Sequence, residues 1–312
     1  MTIAAFLLLA SAGFAESKTL ALQIHLDRAG YSCNTIDGVW GEKSVRALGR
    51  YAASRAKDGT SSNAPTPEEA YDRWFADSSE PFTIVEVTQA DLDALVKIPE
   101  SPAAKAELPR MGYESIQEMF SERGHLSQKA LAQMNPGVDW ENVLPGLKLV
   151  IPDFPPMEEE IRAGDRGRRN RPKRPEADLV KVSISRREIT AYDVNGKLLA
   201  LFPCSVAANK AKVPPHGELM ITSYVAHPNY TYTPDFTPPG QKVARYVWPN
   251  GENCPVGVAW MGLNLPGYGI HGTPRPESIG FAGSHGCFRL SNWNAARLYA
   301  MCKSGTKVII EP

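Results

Sequence analysis

The chain has no excess of charge of either sign. Lysine and arginine together number 34, aspartate and glutamate also number 34, and the formal net charge is zero. Proteins that bind nucleic acid usually carry a strong basic excess, because they must neutralise phosphates. The balance therefore argues against a nucleic-acid-binding function. With 312 residues, the chain is long enough for two or three domains.

Long hydrophobic runs are scarce. The most apolar stretch, Ile3 to Ala15, is too short to cross a bilayer as a helix, and we expect no membrane span in the mature chain. It ends in Gly13-Phe14-Ala15, a small-x-small pattern typical of signal-peptide cleavage. No Lys or Arg precedes the run, which departs from the usual signal pattern. We interpret residues 1–15 as a signal peptide and expect export to the periplasm; a buried helix is the alternative.

Cysteine is also scarce. The chain has five cysteines, at Cys33, Cys204, Cys254, Cys287 and Cys302. An exported chain meets an oxidising compartment where disulfides can form, and an odd number leaves at least one thiol without an intrachain partner. We expect Cys287 to be that thiol. At least one disulfide is expected among the other four, with Cys204–Cys254 as the preferred pair.

Two amphipathic runs flank a glycine-bearing loop near the N-terminus. Leu22 and Leu26 share one helical face, and a second run has Val45, Leu48 and Tyr51 at helical spacing. Residues 18–54 contain the motifs Leu22-Gln23, Gly30-Tyr31, Ile36-Asp37-Gly38, Trp40-Gly41 and Tyr51. With these motifs the segment resembles the peptidoglycan-binding helical domain. The alternative is a helix pair that only packs on its neighbour.

Residues 55–110 read as a polar linker followed by an unassigned helical region. From Met111 to Phe154, two further amphipathic helices end at Asn135-Pro136, and the strand Leu147 to Ile151 follows. Residues 111–154 resemble a LysM module, a glycan-binding unit with the order βααβ, although a first strand is not evident. The resemblance rests on Leu131, Asn135, Pro145-Gly146 and Ile151-Pro152.

A charged segment, 155–177, comes next. Its run RAGDRGRRNRPKRPE holds seven basic residues, and its glycines and prolines disfavour a continuous helix. We interpret the segment as a solvated linker. A basic strip that follows an anionic wall polymer is the alternative, weakened by the acidic run Glu158 to Glu160 just upstream.

Residues 178–312 have the pattern of a mostly-β domain. Apolar and polar residues alternate from Leu179 onward, with Asn195-Gly196 as a hairpin turn. Further short strands are predicted at 217–223, 257–263 and 308–310, and one clear helix at 294–302. The predicted fold class is a multidomain chain in which a small α module and an α+β module precede a mostly-β domain.

Groups that nucleophilic chemistry needs are concentrated in one segment, IHGTPRPESIGFAGSHGCFRL. Cys287 becomes a good nucleophile only as a thiolate, and His271 or His285 can take its proton. Gly286 lets a substrate approach the main chain closely. Backbone N–H groups near Gly286 and Cys287 can form an oxyanion hole.

Two other interpretations of this segment stay open. Cys287 can be a buried or disulfide-bonded structural cysteine, or it can bind zinc together with His271 and His285. The zinc interpretation leaves Ser284 and Arg289 without a role, which counts against it. In an extended chain Arg289 faces the same side as Cys287, and its planar guanidinium suits a carboxylate of the substrate.

The order His271-Gly272, a gap, Ser284-His285-Gly286-Cys287 and then Arg289 resembles the signature of the YkuD-type L,D-transpeptidase catalytic domain. The stretch Asn253 to Gly257 resembles the family's NPxG stretch, with Cys254 inserted as a departure. The resemblance covers about 179–312. It implies a cysteine that cleaves the bond between the L-centre of a diamino acid and D-alanine in a peptidoglycan stem.

The resemblance also implies the residue roles. Cys287 is the nucleophile and His271 the base, while His285 and Gly286 line the oxyanion region. Substrate binding falls to Arg289, Ser284 and Gly272. No metal or cofactor is required.

The expected partners are peptidoglycan stem peptides and glycan strands in the cell wall, and the acceptor amine belongs to a second stem or to a protein. Two alternatives remain: water as acceptor, which gives an L,D-carboxypeptidase or amidase, and a non-catalytic wall-binding protein.

Overall fold

The structure, a computed structural model, describes residues 17–55, 65–165, 167, 170, 172–207, 209, 212–234, 236, 242–280, 283 and 286–312. The predicted signal peptide 1–15 and residues 56–64 of the predicted polar linker lie outside this set. Within the described ranges, no helix combines the length and the apolar character that crossing a membrane requires.

Helices α1 (Lys18–Arg28), α2 (Glu42–Arg55) and α3 (Pro67–Trp74) form the first unit. The hydroxyl of Ser17 caps α1, and Thr66 and Glu69 form a capping box at the start of α3. Helices α1 and α2 lie where the apolar spacing predicts them. No sequence motif predicted that α3 would pack against them. The buried apolar residues of the unit include Leu22, Leu26, Tyr31, Ala47, Leu48, Tyr51, Ala70 and Phe75.

The second unit contains a two-stranded sheet. Its elements are β1 (Phe82–Glu86), α4 (Gln89–Asp93), α5 (Pro102–Ala106), α6 (Ile116–Arg123), α7 (Gln128–Met134) and β2 (Lys148–Pro152). Strands β1 and β2 pair antiparallel. The Asn135 amide donates to the Val150 carbonyl at 2.9 Å and accepts from the Val150 N–H at 2.7 Å, which ties the end of α7 to β2. Because β1 lies within 55–110, the unit begins upstream of the predicted boundary at Met111.

The segment 155–177 differs from its predicted form as a solvated linker, because it contains helix α8 (Met157–Gly164). Met157 and Ile161 lie four residues apart and form an apolar stripe among charged neighbours. Ile161 is buried in the core of the main sheet. Arg174, from the basic run, pairs with Glu160 at 2.8 Å, so part of that charge is neutralised within the chain.

A mostly-β region follows, as the alternation of residues predicts. Its strands are β3 (Leu179–Ser183), β4 (Glu188–Tyr192), β5 (Leu198–Pro203), β6 (Gly217–Ala226), β7 (Tyr230–Tyr232), β8 (Tyr246–Trp248), β9 (Ala259–Leu263), β10 (Gly269–His271), β11 (Phe288–Arg289) and β12 (Lys307–Glu311). One eight-stranded sheet has the order β11-β10-β9-β6-β12-β3-β4-β5, while β7 and β8 pair separately. Helix α9 (Asn292–Met301) packs on this sheet and on α8.

The predicted disulfide between Cys204 and Cys254 is wrong. Among the described residues, which include all five cysteines, none forms a disulfide. Cys204 lies in the core of the main sheet, whereas Cys254 lies in a separate apolar cluster with Met111 and Trp248. Burial raises the pKa of both thiols, to about 11 for Cys254, and keeps them protonated at neutral pH.

A buried ion pair joins the three parts of the fold. Asp27, at the end of α1, is fully buried, and Arg297 from α9 donates to its carboxylate at 2.9 Å. His125, which follows α6 in the second unit, lies 3.2 Å from the same carboxylate. The His125 ring stacks between Phe154 and Trp293. The two upstream units are therefore fixed against the main sheet domain at Asp27.

Asp27→Asn is expected to destabilise the fold by about 3–5 kcal/mol at pH 7, because it leaves the largely buried Arg297 without its counter-ion. Burial alone would raise the pKa of Asp27, but the charges of Arg297 and His125 and the hydrogen bond from His125 outweigh it and hold the pKa well below its ordinary value. Such a group stabilises the fold above its unfolded pKa of about 4, and this contribution is lost as the pH falls toward the native pKa. Urea unfolding should show a smaller difference between wild type and variant at pH 3.

Asp72→Asn is the matched control. Asp72 pairs with Lys18 at 2.7 Å, but both side chains are about half exposed. Exposed pairs of this kind contribute below about 1 kcal/mol. A loss for Asp27→Asn no larger than that of the control would contradict the role assigned to the buried pair.

Candidate active site

Strands β10 and β11 position the predicted site residues. They are parallel neighbours in which Ile270 lies opposite Phe288 and His271 lies opposite Arg289. Ile270 and Phe288 are fully buried in the core, and successive side chains of a strand point to opposite faces. His271 and Arg289 therefore project from the other face. Cys287 directly precedes β11 and lies two residues before Arg289.

Backbone bonds hold this arrangement in place. The Leu290 N–H donates to the His271 carbonyl at 2.9 Å, and Ser205 and Arg289 exchange two backbone hydrogen bonds of 2.9 and 3.0 Å. Gly286 has a φ of 148°, which residues with a side chain rarely adopt. Glycine at this position lets the chain turn into β11 directly before the thiol of Cys287.

The His271 ring has a defined orientation. Its Nδ1 lies 2.6 Å from the Gly272 carbonyl, and the side chain is buried with the ring stacked on Trp260. A carbonyl oxygen only accepts, so Nδ1 carries the hydrogen and Nε2 is left as the proton acceptor. Burial lowers the pKa of His271 to about 4, with the Gly272 carbonyl opposing and the Arg289 charge adding to the shift. The imidazole is therefore neutral at neutral pH.

The Cys287 thiol is also neutral in its resting state. It is partly exposed, and its Sγ donates to the Gly267 carbonyl at 3.6 Å. Burial raises the pKa of Cys287, and a backbone hydrogen bond with Gly269 opposes the shift. With a neutral imidazole and a neutral thiol, the site suits a base that removes the proton during attack rather than a stored thiolate.

Arg289 brings positive charge to the same face. Its guanidinium donates to the Gly283 carbonyl at 2.8 Å. Burial lowers the pKa of Arg289, and the nearby charge of Arg275 adds to this effect. Two neighbouring guanidinium groups favour a carboxylate ligand. Arg275 was given no role in the sequence prediction, since a single arginine in a loop is not distinctive.

Besides Arg275, the sequence prediction missed two further contributions to the site. Gly272, predicted as a substrate-binding residue, supplies the carbonyl that orients His271. Asn292 packs its Oδ1 so closely on Gly272 and Gly257 that a Cβ on either glycine would overlap it. A role of the main chain, such as that of the Gly272 carbonyl, cannot be recognised from residue type. The close packing of Asn292 explains why Gly257 and Gly272 are glycines.

Two predicted residues, Ser284 and His285, lie outside the described residues, so their roles stay predictions. The alternative zinc set included His285 and is untested for the same reason. In the part of the chain that the structure does describe, no group of His, Cys, Asp and Glu side chains is arranged to hold a metal ion.

The candidate site lies in the part of the chain that is similar to known proteins. Residues 177–310 match the profile of the YkuD family, the L,D-transpeptidase catalytic domain. The YkuD protein of Bacillus licheniformis, whose name assigns it to the L,D-transpeptidases, is 30% identical over 186 residues, which cover 60% of this chain and 87% of the relative. The YqjB protein of Bacillus subtilis, named for the same family, is 31% identical over 34% of this chain and 57% of its own. An L,D-transpeptidase structure from Mycobacterium smegmatis aligns at 22% identity and a TM-score of 0.34, over 43% of this chain and 58% of that one.

Proposed function

The chain belongs to the L,D-transpeptidase family, and we propose that it cross-links peptidoglycan stem peptides. The proposed reaction cleaves the bond between the L-centre of the diamino acid and D-alanine in a tetrapeptide stem. The acyl group is transferred to an amine of another stem or of a protein. The observation that carries the proposal is the pairing of β10 with β11, which places His271 opposite Arg289, two residues after Cys287, with the His271 ring oriented by the Gly272 carbonyl at 2.6 Å.

In the first step, Nε2 of His271 takes the thiol proton while Sγ of Cys287 attacks the carbonyl carbon of the stem. Backbone N–H groups near Gly286 and Cys287 stabilise the oxyanion. When the tetrahedral intermediate collapses, the carbon–nitrogen bond breaks and the imidazolium gives its proton to the amine of D-alanine. A thioester then remains on Cys287.

In the second step, the acceptor amine attacks the thioester carbonyl and loses a proton to His271. The carbon–sulfur bond breaks, and the leaving thiolate regains that proton. Each D-alanine released thus corresponds to one new amide bond. Arg289 and Arg275 would bind a carboxylate of the donor stem, because both are cations beside the reacting groups.

We also propose that the upstream units hold the enzyme on the cell wall. Helices α1 and α2 would serve as a peptidoglycan-binding-like module, and the second unit as a LysM-like module. Strands β1 and β2 flank helices α6 and α7, with the short helices α4 and α5 following β1, and this arrangement supports the LysM likeness. A cleft of about 480 Å³ lies along residues 134–148. Holding the catalytic domain near stem peptides raises their local concentration. An exported, periplasmic location follows from this role.

Incubation of the purified protein with disaccharide-tetrapeptide tests the proposal. We expect release of D-alanine and an equal amount of cross-linked dimer, both measured by mass spectrometry of the muropeptides. Tripeptide products without dimers would instead favour the hydrolytic L,D-carboxypeptidase. Absence of D-alanine release would contradict the catalytic proposal.

A further inference from the structure

The segment 273–280, which follows the candidate base in the chain, is held by two side chains from another part of the fold. Asn34, in the loop between α1 and α2, donates from Nδ2 to the Pro276 carbonyl at 2.8 Å. Lys43, on α2, donates from Nζ to the Ile279 carbonyl at 2.6 Å. Both donors belong to the first unit, outside the region that matches the family profile. The proposed reaction uses neither of them.

The position of Asn34 is fixed by its own surroundings. The residue is fully buried, and its φ of 68° lies in the left-handed region, which asparagine tolerates better than most residues. Its N–H donates to Ser32 Oγ at 3.0 Å, and that oxygen also accepts from the Asn294 amide at 3.0 Å. Nδ2 of Asn34 has a second acceptor, Thr35 Oγ1, at 2.9 Å. Because the side chain is already held, little rotamer freedom is lost in its bond to Pro276.

The Lys43 side chain packs on the segment as well as bonding to it. The residue is partly buried, and a Cβ on Gly280 would lie only 3.3 Å from Cε of Lys43. A hydrogen bond from an ammonium group is assisted by its charge and is stronger than a bond between neutral groups. Lys43 therefore restrains the segment at two successive residues, Ile279 and Gly280.

Ser205 connects the segment to β11. Its Oγ accepts from the Gly280 N–H at 3.0 Å and donates to the Ser278 carbonyl at 3.2 Å. Its backbone exchanges two hydrogen bonds with Arg289, of 2.9 and 3.0 Å. The segment is thus bonded to the first unit and, through one residue, to the strand that directly follows the candidate nucleophile.

We propose that Asn34 and Lys43 hold residues 276–280 in the position that the candidate active site requires, so that the first unit takes part in catalysis. Both are positioning residues, because they act through the segment and Ser205 on β11. The inference rests on the proposed function, in which Cys287 follows this segment as the nucleophile. It gives the first unit a role in addition to its proposed hold on the cell wall.

Asn34→Gly and Lys43→Met in the full chain remove the two hydrogen bonds. Glycine adopts a φ of 68° without strain, and methionine keeps a long apolar side chain against Gly280. Arg187 still donates to the Gly280 carbonyl, so each single variant should slow acylation by a carbapenem by only about 3- to 10-fold. The double variant should slow it by about 10- to 100-fold, the scale of a misplaced reacting group. Lys43→Arg keeps a charged donor and should recover most of the rate.

Lys18→Met is the matched control. It makes the same substitution in the same unit, but Nζ of Lys18 contacts Asp72 at 2.7 Å instead of the segment, so the rate should stay at the wild-type value. A carbapenem carries no glycan, and weakened binding to the wall therefore cannot explain a slower variant. All rates are measured at a temperature at which thermal unfolding shows every variant to be folded, which separates positioning from a general loss of stability.

Hydrogen–deuterium exchange gives a readout that does not depend on activity. The N–H groups of Ile279 and Gly280 donate to the Pro276 carbonyl and to Ser205 Oγ, so their exchange reports on the order of the segment. Exchange at 276–280 should rise by about tenfold in the double variant, and exchange at Arg289, whose N–H donates to the Ser205 carbonyl, should rise with it. Lys18→Met should exchange like wild type.

A double variant with the wild-type rate of acylation, or with wild-type exchange at 276–280 and Arg289, would overturn the proposal. If wild type itself is not acylated, the proposed function fails. The exchange comparison then still decides whether the first unit fixes the segment.

Discussion

Cys287→Ala should abolish both acylation by a carbapenem and the release of D-alanine from a tetrapeptide stem. The expected fall is on the order of 10⁶-fold, the scale found when a covalent nucleophile is removed. The thiol makes a contact of 3.6 Å with the Gly267 carbonyl, so its loss should leave the unfolding temperature nearly unchanged. Intact-mass spectrometry should find one β-lactam adduct on wild type and none on the variant.

Cys33→Ala and Cys254→Ala are the matched controls. Burial raises the pKa of Cys33 to about 12 and that of Cys254 to about 11, so neither thiol forms a thiolate at neutral pH. Both variants should take up one adduct at the wild-type rate. An adduct on Cys287→Ala, or the loss of the adduct in either control, would show that the nucleophile is misassigned.

The expected selectivity for Cys287 does not come from a depressed pKa. Burial raises the pKa of this thiol too, although it is partly exposed and the other cysteines are buried. Its expected advantages are access to substrate and a neutral imidazole on β10, the strand that pairs with the segment directly after Cys287. We therefore expect the reactivity of Cys287 to depend on the position of His271 more than on the resting charge of the sulfur.

The site was more predictable from sequence than the packing around it. His271, Cys287 and Arg289 stand in a short motif whose spacing is visible in the chain, and the pairing of β10 with β11 places His271 opposite Arg289. The role of the Gly272 carbonyl depends on backbone geometry, which cannot be predicted from the type of residue. The ion pair of Asp27 with Arg297 joins residues 270 positions apart and becomes visible only in the folded chain.

The errors in the fold prediction also come from contacts between distant parts of the chain and from weak local patterns. Strand β1 has only five residues, and its partner β2 lies far along the chain, so its pairing has no local signal. Helix α8 was missed because charged neighbours hide the apolar pair Met157 and Ile161. The disulfide prediction used compartment and cysteine count, whereas pairing depends on which thiols the fold brings together.

His271→Ala should slow acylation by about 10²- to 10⁴-fold at pH 7, because proton removal from the thiol loses its base. In wild type, the pKa of about 4 keeps the imidazole neutral and able to accept a proton, so the rate should be level from about pH 5 upward and fall below it. In the variant, only the fraction of Cys287 that has ionised unaided can attack. Stopped-flow acylation by a carbapenem across pH 4–10 measures both profiles.

The pH profile of His271→Ala distinguishes a missing base from a damaged loop. The variant rate should rise about tenfold for each pH unit until it passes the thiol pKa, which burial places above its ordinary value of about 8.5. His285→Ala is the comparison, because a residue two positions from Cys287 shares its backbone and should act through the geometry of the loop. That variant should be slow at every pH and show no such rise. A steep alkaline rise in His285→Ala and none in His271→Ala would reverse the assignment, and the hydrogen bond from Nδ1 to Gly272 would then serve only to pack the ring.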